Sequence, residues 1–220
     1  MSTVGTLPTG SRGVDCNAPI SRADAALFAG KGFTFAIRYV RRSQANTYDL
    51  TTDEVLGILA GGLGLMAVQH VAAPGWEPSA QLGTQYGSTA AAECQRLGIP
   101  AGVTVWCDLE GVSDDADHRA VVGYCNAWYD AVAALAYVPG LYVGDSCILT
   151  PLELYRSLKF AAFWSAYNLN GDAAPAVRGV QMRQHAAKAV DMVPGFTSQN
   201  MDVDVICGDA LGGFPTLLLP

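Results

Sequence analysis

Five carboxylates fall where a chain of alternating strands and helices would bring them together. Asp15 closes a short run, residues 13–17, that ends in turn chemistry. Asp108 and Glu110 stand two apart in the β-rich run 103–110, and Asp202 and Asp204 repeat that step within 201–207. Side chains alternate along a strand, so Trp106, Asp108 and Glu110 share one face while Cys107 and Leu109 point to the other. An Asp-x-Glu step sets two carboxyls roughly 7 Å apart along one strand. Crowding of that kind raises one pKa toward the range of a general acid while a neighbour stays ionised. A carboxylate at a strand end also caps helices or pairs with a base, and Arg38 in the run 35–40 is available as such a partner or as a substrate contact. Five acids from three strands repel one another, however, and only function, a metal or many donors can offset that repulsion.

The elements that must carry these residues read as an alternation. Ser21 caps a helix through about residue 30, with Asp24 at the capping-box position, and Thr52 or Asp53 starts a second, stopped by Gly61 and Gly62. Tyr86, Ala90, Cys94 and Leu97 mark one face of a third helix. Val121, Cys125, Trp128, Val132 and Leu135 mark the most amphipathic one, so Trp128 is core. A fifth helix starts at Pro151. Strand-like runs at 13–17, 35–40, 64–71, 103–110, 141–144, 161–167, 179–185 and 201–207 lie between or after them. Apolar strands interleaved with helices imply a parallel sheet buried on both faces. Eight such units in 220 residues fit a single α/β domain, a compact (β/α)8 TIM-like barrel made irregular by the short link before its last strand. Residues 12–220 form that barrel behind a flexible leader, 1–11. C-terminal strand ends meet at the mouth of such a barrel, where the carboxylates would gather.

Composition narrows the function. The chain is 50% hydrophobic and 15% charged, with a mean hydropathy of +0.22, which supports a large core and excludes disorder. A net charge of −7 and a pI near 4.8 argue against nucleic acid and anionic membranes as partners. No stretch approaches the roughly 18 apolar residues of a membrane span, and the start lacks the basic and apolar regions of a cleavable signal. Synthesis in the cytoplasm is expected, with action outside it through phage release or a dedicated secretion route. The six cysteines form no C-x-x-C pair and read as small buried hydrophobes. Neither G-x-x-x-x-G-K-[ST] nor G-x-G-x-x-G follows a strand, and G-x-S-x-G is absent, so a nucleotide cofactor and an α/β-hydrolase are both disfavoured. No cofactor is expected.

The order Gly13-Val14-Asp15, Asp108-Leu109-Glu110, Leu141-Tyr142-Val143-Gly144, Phe163-Trp164-Ser165-Ala166-Tyr167, Arg183-Gln184-His185, Met201-Asp202-Val203-Asp204 resembles that of family twenty-five glycoside hydrolases, the Chalaropsis-type lysozymes. It is closer to the related glycoside-hydrolase-like barrel domain of secreted actinobacterial and phage-associated proteins. The resemblance spans residues 12–210. It implies an irregular barrel that cleaves the β-1,4 bond between N-acetylmuramic acid and N-acetylglucosamine in peptidoglycan, or in a related amino-sugar polysaccharide. Glu110 then matches the general acid and Asp108 the carboxylate that orients the acetamido group or stabilises positive charge. Asp15 and Asp202 match the acids of the first and last strands. Asp204 stands where the lysozymes carry Asn, and Gln184-His185 replaces Gln-Tyr; both departures bear on sugar specificity. Two carboxyls side by side on one strand suit substrate-assisted hydrolysis with retention.

Other side chains are candidates for sugar contact. Trp76 lies in the Pro/Gly loop 73–78, placed either to stack on a sugar or to pack the loop. Tyr142 and Trp164 line the cleft or fill the barrel. His70 and His185 end strands and, with Asp202, are the residues a metal site would use, although no ligand spacing supports one. His118 reads as a solvated residue in the first turn of its helix. The competing readings are a silent barrel that binds glycan or a partner, a metal-dependent hydrolase using the acids and His185, and a hydrolase of another polysaccharide.

Overall fold

Local chemistry sets the helix starts. Ser21 and Asp24 form the capping box, with the Asp24 carboxylate accepting from the Ser21 N–H at 3.0 Å. Thr51, Ser79, Asp117 and Thr150 cap the remaining helices with their side-chain oxygens. The computed structural model describes residues 2–167, 179–208 and 213–220. In chain order the elements are β1 (Thr3–Thr6), β2 (Arg12–Cys16), α1 (Arg22–Gly30), β3 (Phe33–Val40), α2 (Thr52–Ala60), β4 (Gly64–Gln69), α3 (Ala80–Arg96), β5 (Thr104–Leu109), α4 (His118–Ala133) and β6 (Val138–Val143). They continue with α5 (Pro151–Arg156), β7 (Ala162–Ser165), β8 (Val180–Ala186), β9 (Met201–Ile206) and β10 (Thr216–Leu219). Helix α3 starts well before Tyr86 because its first turns bury Gly83 and Gly87 rather than large apolar residues, which hydrophobic periodicity does not register.

Strands β2 to β8 pair in sequence order, each parallel to the next. Strand β9 then pairs antiparallel to both β8 and β2 and closes the ring. The barrel has eight strands, but its order is mixed rather than the all-parallel (β/α)8 expected from the alternation. The difference lies in the link: residues 187–200 pass in turns, with no helix to carry a crossover back to the start of a parallel strand. Its first residues, rather than its last, therefore reach the mouth.

Two elements lie outside the ring. Residues Thr3–Thr6, expected within a flexible leader, form β1 and pair antiparallel with β10. Strand β10 in turn meets β4 at Leu218 and Leu65, near the start of β4 and so at the end of the barrel away from the mouth. Leu217 is buried there and closes the interior, with Leu7 and Leu219 packed beside it.

The core has two layers, as strand alternation requires. Phe35, Ile37, Met66, Val68, Trp106, Trp164 and Met182 fill the barrel, while Val14, Ala36, Val105, Cys107, Leu109 and Trp128 lie between strands and helices. Gly140 makes room for the Trp106 ring, which would stand 2.3 Å from any Cβ built there. All six cysteines are free thiols and five are buried.

Candidate active site

The acids of β2, β5 and β9 lie within electrostatic reach of one another. Asp15 is the fourth residue of β2, and its direct neighbour across the sheet is Asp202 of β9. Asp204, two residues further down β9, faces Gly13 on one side and Gln184 on the other. Asp108 lies on β5 beside Tyr142 of β6. Glu110 follows at the strand end, where its carboxyl packs against Gly144. A Cβ at Gly144 would lie 2.7 Å from Glu110 Oε2 and 2.9 Å from the Tyr142 ring, so only glycine leaves that space.

Burial grades the five. Asp15, Asp108 and Asp204 are buried; Glu110 and Asp202 are half-buried and stand nearer solvent. Burial pushes the Asp15 carboxyl up to about 6, and the charge of Glu110 adds to the rise, against a hydrogen bond from Gln184 Nε2 at 3.0 Å. Asp108 is raised well above the usual range by burial, then by Glu110 and Asp15, and its Oδ1 has no hydrogen-bond partner. Asp204 is raised by burial and by Asp15, to which it is hydrogen-bonded; the Trp164 indole opposes the rise. Asp202 is pushed up to about 7 by burial and by the charge of Asp15. Burial raises Glu110 as well, with Asp145 adding to the effect. Raised carboxyl pKa values concentrate at functional sites and also occur in buried structural networks.

The side chains between the acids are hydrogen-bonded in series. Tyr142 donates its hydroxyl to Gln184 Oε1 at 2.9 Å, and Gln184 passes its amide N–H to Asp15. Tyr142 and Trp164 thus fill the barrel below the acids, their rings meeting edge to face at 4.4 Å. Trp76 packs edge to face on Tyr124 at 5.0 Å and donates its indole N–H to the Glu110 carbonyl at 2.9 Å. Its ring holds the loop under Glu110. The same segment is clipped by Gly75 N–H to the Gly111 carbonyl at 2.7 Å and by Gly111 N–H to the Asp145 carbonyl at 2.8 Å.

Two expected members of the group stand elsewhere. Arg38 faces the helix layer, fully buried, where its Nε donates to Glu54 of α2 at 2.6 Å. Its other nitrogens donate to the carbonyls of Cys16 and Tyr48, so it ties β3 to α2 and the neighbouring loops. Strand alternation explains this, since Ile37 and Tyr39 take the inward positions. His185 likewise alternates outward from Gln184 and is exposed on the outer face. His70 stacks on Tyr39 at 4.7 Å and pairs with Asp49 at 3.1 Å, so His70, His185 and Asp202 are not assembled as a metal site. Among the described residues no group of three His, Cys, Asp or Glu side chains is set to hold a metal. His118 is not simply solvated, because its Nδ1 meets Glu153 at 3.0 Å.

Sequence reasoning missed three residues near the acids. Tyr39 is pushed up by burial and then by Asp15, Asp108, Glu110 and Asp204, which places its hydroxyl among them. Tyr167 feels Asp202, Asp15 and Glu110 in the same way. Asp145, just past β6, adds to the charge around Glu110. Inward alternation from Ile37 was the available signal for Tyr39, and position after a strand end the signal for Asp145.

The fold recurs in known structures. The Tat-secreted protein Rv2525c of Mycobacterium tuberculosis superposes with a TM-score of 0.66 at 18% identity, over 92% of this chain and 98% of that one. The catalytic domain of endolysin Ply40 from bacteriophage P40 of Listeria monocytogenes gives 0.60 at 18% identity, over 92% and 95% of the two chains. The lysozyme of Streptomyces coelicolor gives 0.59 at 13% identity, over 93% and 95%. At these identities the likeness speaks for the fold. No curated protein matches the chain. Residues 26–204 match the Rv2525c-like, glycoside hydrolase-like domain, and the chain belongs to that family.

Proposed function

We propose that the chain is a glycoside hydrolase that cleaves β-1,4 bonds of bacterial cell-wall peptidoglycan, as a muramidase does. The observation that carries this reading is the pairing of a half-buried Glu110, its pKa raised, with a buried Asp108 two residues earlier and the Asp15–Asp202 pair on facing strands. Lysozyme and endolysin structures with the same fold support the choice of substrate. Tat secretion of Rv2525c supports action outside the cytoplasm.

Burial and Asp145 both disfavour the charge of Glu110, which suits its carboxyl to give a proton to the glycosidic oxygen. Asp108 orients the acetamido group of the sugar, whose oxygen bonds to C1 as the glycosidic bond breaks. Asp202, nearer solvent, supplies negative charge to the cationic intermediate when ionised. Water then displaces the acetamido oxygen from C1, re-forming the acetamide as its proton passes to Glu110, and the sugar keeps its configuration. Proton NMR of the first product formed tests this mechanism. Initial release of the β-anomer is expected, and initial release of the α-anomer contradicts it.

A second reading is a barrel that binds glycan without turnover. It is favoured by the depth of Asp15, Asp108 and Asp204, whose burial also suits a polar scaffold.

A further inference from the structure

A pocket of about 360 Å³ opens at the end of the barrel where β2, β3 and β4 finish and β9 begins. Four segments line it: Asn17 and Ala18 after β2, Asn46 and Tyr48 after β3, His70 after β4, and Asn200 before β9. Asn17 and Asn200 stand two residues from Asp15 and Asp202. The Asn17 N–H donates to the Asn200 carbonyl at 3.3 Å, so the pocket continues the Asp15–Asp202 pairing beyond the strands. The Tyr39 ring joins pocket and acids. It stacks on His70 at 4.7 Å, while its hydroxyl feels the charges of Asp15, Asp108, Glu110 and Asp204.

The lining is uncharged although it borders the acids. Burial disfavours the charge of His70, against the opposing pull of Asp49. The charges nearby are turned to other partners: Asp49 to His70 at 3.1 Å, Arg38 to Glu54 at 2.6 Å, and Arg42 to the Tyr86 ring, 5.2 Å from its centroid. The walls are held in place by their own hydrogen bonds. The Tyr48 N–H donates to Asn46 Oδ1 at 3.1 Å, Arg38 donates to the Tyr48 carbonyl at 2.8 Å, and the Thr197 N–H donates to Asn200 Oδ1 at 2.8 Å. Those bonds use amide oxygens and leave donors over. Among the described residues, the Asn17 side chain, the Asn46 amide NH2 and the Tyr48 hydroxyl have no hydrogen-bond partner. All three residues are exposed, Tyr48 at 56%.

We propose that this pocket is a subsite for one uncharged sugar of a glycan strand that also lies across the acids, which rests on the glycan substrate proposed above. In peptidoglycan the uncharged sugar is N-acetylglucosamine. N-acetylmuramic acid carries a carboxyl, free or joined to a peptide, and the lining holds no cation to receive it. The Tyr48 ring offers a face to the C–H groups of a pyranose, and the Asn17 and Asn46 amides offer donors to its oxygens. An anion would meet the field of the acids with no cation in reach; an apolar ligand would leave those amides without partners. The volume lies near the low end of the roughly 300–1,000 Å³ of small-ligand pockets, which suits a single ring rather than a longer segment.

The test is a titration of the isotope-labelled full chain with triacetylchitotriose, followed by amide NMR, with trigalacturonate as the anionic comparison. Saturable shifts at Asn17, Asn46, Tyr48, His70 and Asn200 are expected with chitotriose alone. Affinity should fall about tenfold in Tyr48→Ala and about threefold in Asn17→Ala, and stay within about threefold of wild type in Tyr48→Phe. Both positions are exposed, and either alanine variant carries the test if the other does not fold. Absence of saturable shifts, shifts confined to Asp108 and Glu110, equal binding of trigalacturonate, or wild-type affinity in the folded alanine variants would each overturn the proposal. The readout needs no turnover. Pocket shifts in a protein that releases nothing from peptidoglycan would therefore contradict the hydrolase reading and leave the subsite standing.

Discussion

At the scale of single residues, the site stores protons that the unfolded chain would release. Asp15 is the measurable case, because its carboxyl is buried and pushed up to about 6 from 3.8. Below the unfolded value both states hold the proton and nothing is lost. Between the two values the folded chain alone keeps it, so stability falls as pH rises from about 4 to about 6; above that both states have lost the proton and the contribution is constant. The shift corresponds to an upper figure of about 3 kcal/mol, and its coupling to Asp204 makes 1–3 kcal/mol the order to expect. Asp15→Asn keeps an oxygen for Gln184 without the charge. Its melting temperature should therefore fall less than that of wild type between about pH 4 and pH 6, measured by calorimetry. Parallel curves for the two proteins would contradict this account of Asp15. The five acids themselves were legible from strand alternation and strand ends. The outward turn of Arg38 was partly so, since its partner Glu54 sits on a helix whose packing no local pattern specifies.

At the scale of elements, the end of β6 decides where Glu110 of the β5 loop can go. Gly144 is the residue that leaves room for its carboxyl, with a built Cβ 2.5 Å from Glu110 Cβ. Gly144→Ala should displace the acid by a fraction of an ångström to about 1 Å and lower kcat about a hundredfold, with KM little changed. Kinetics on solubilised peptidoglycan, beside a melting curve, check this; wild-type kcat in a folded variant would show that Glu110 does not depend on that space. The strands and most helix starts were readable from apolar runs and capping residues. The direction of β9 was not, because an alternating Asp/apolar strand looks the same in either direction. Only the missing helix between residues 187 and 200 hinted at it. Reversal of β9 is what puts Asp202, rather than a residue at the strand's other end, beside Asp15.

At the scale of the whole molecule, the barrel is closed at the end where β10 meets the start of β4. The closing pair β1 and β10 escaped sequence reading because four-residue strands of Thr, Gly and Leu carry too little pattern to separate from a tail. Removing residues 1–7 should uncover Leu217 and Leu219, leave β10 an edge strand held only by β4 and lower stability by about 1–3 kcal/mol. Since that end lies away from the mouth, kcat should stay within about twofold of wild type; a large loss of kcat without loss of stability would mean the two ends are coupled. The central claim is that Glu110 is the acid of a muramidase. It is tested most directly by incubating wild type and Glu110→Gln with purified peptidoglycan and analysing released fragments by mass spectrometry. Wild type should release muropeptides with reducing N-acetylmuramic ends, and the folded variant should lose that activity by at least about a hundredfold. Equal release by both proteins, or none by wild type from several wall types, would contradict it.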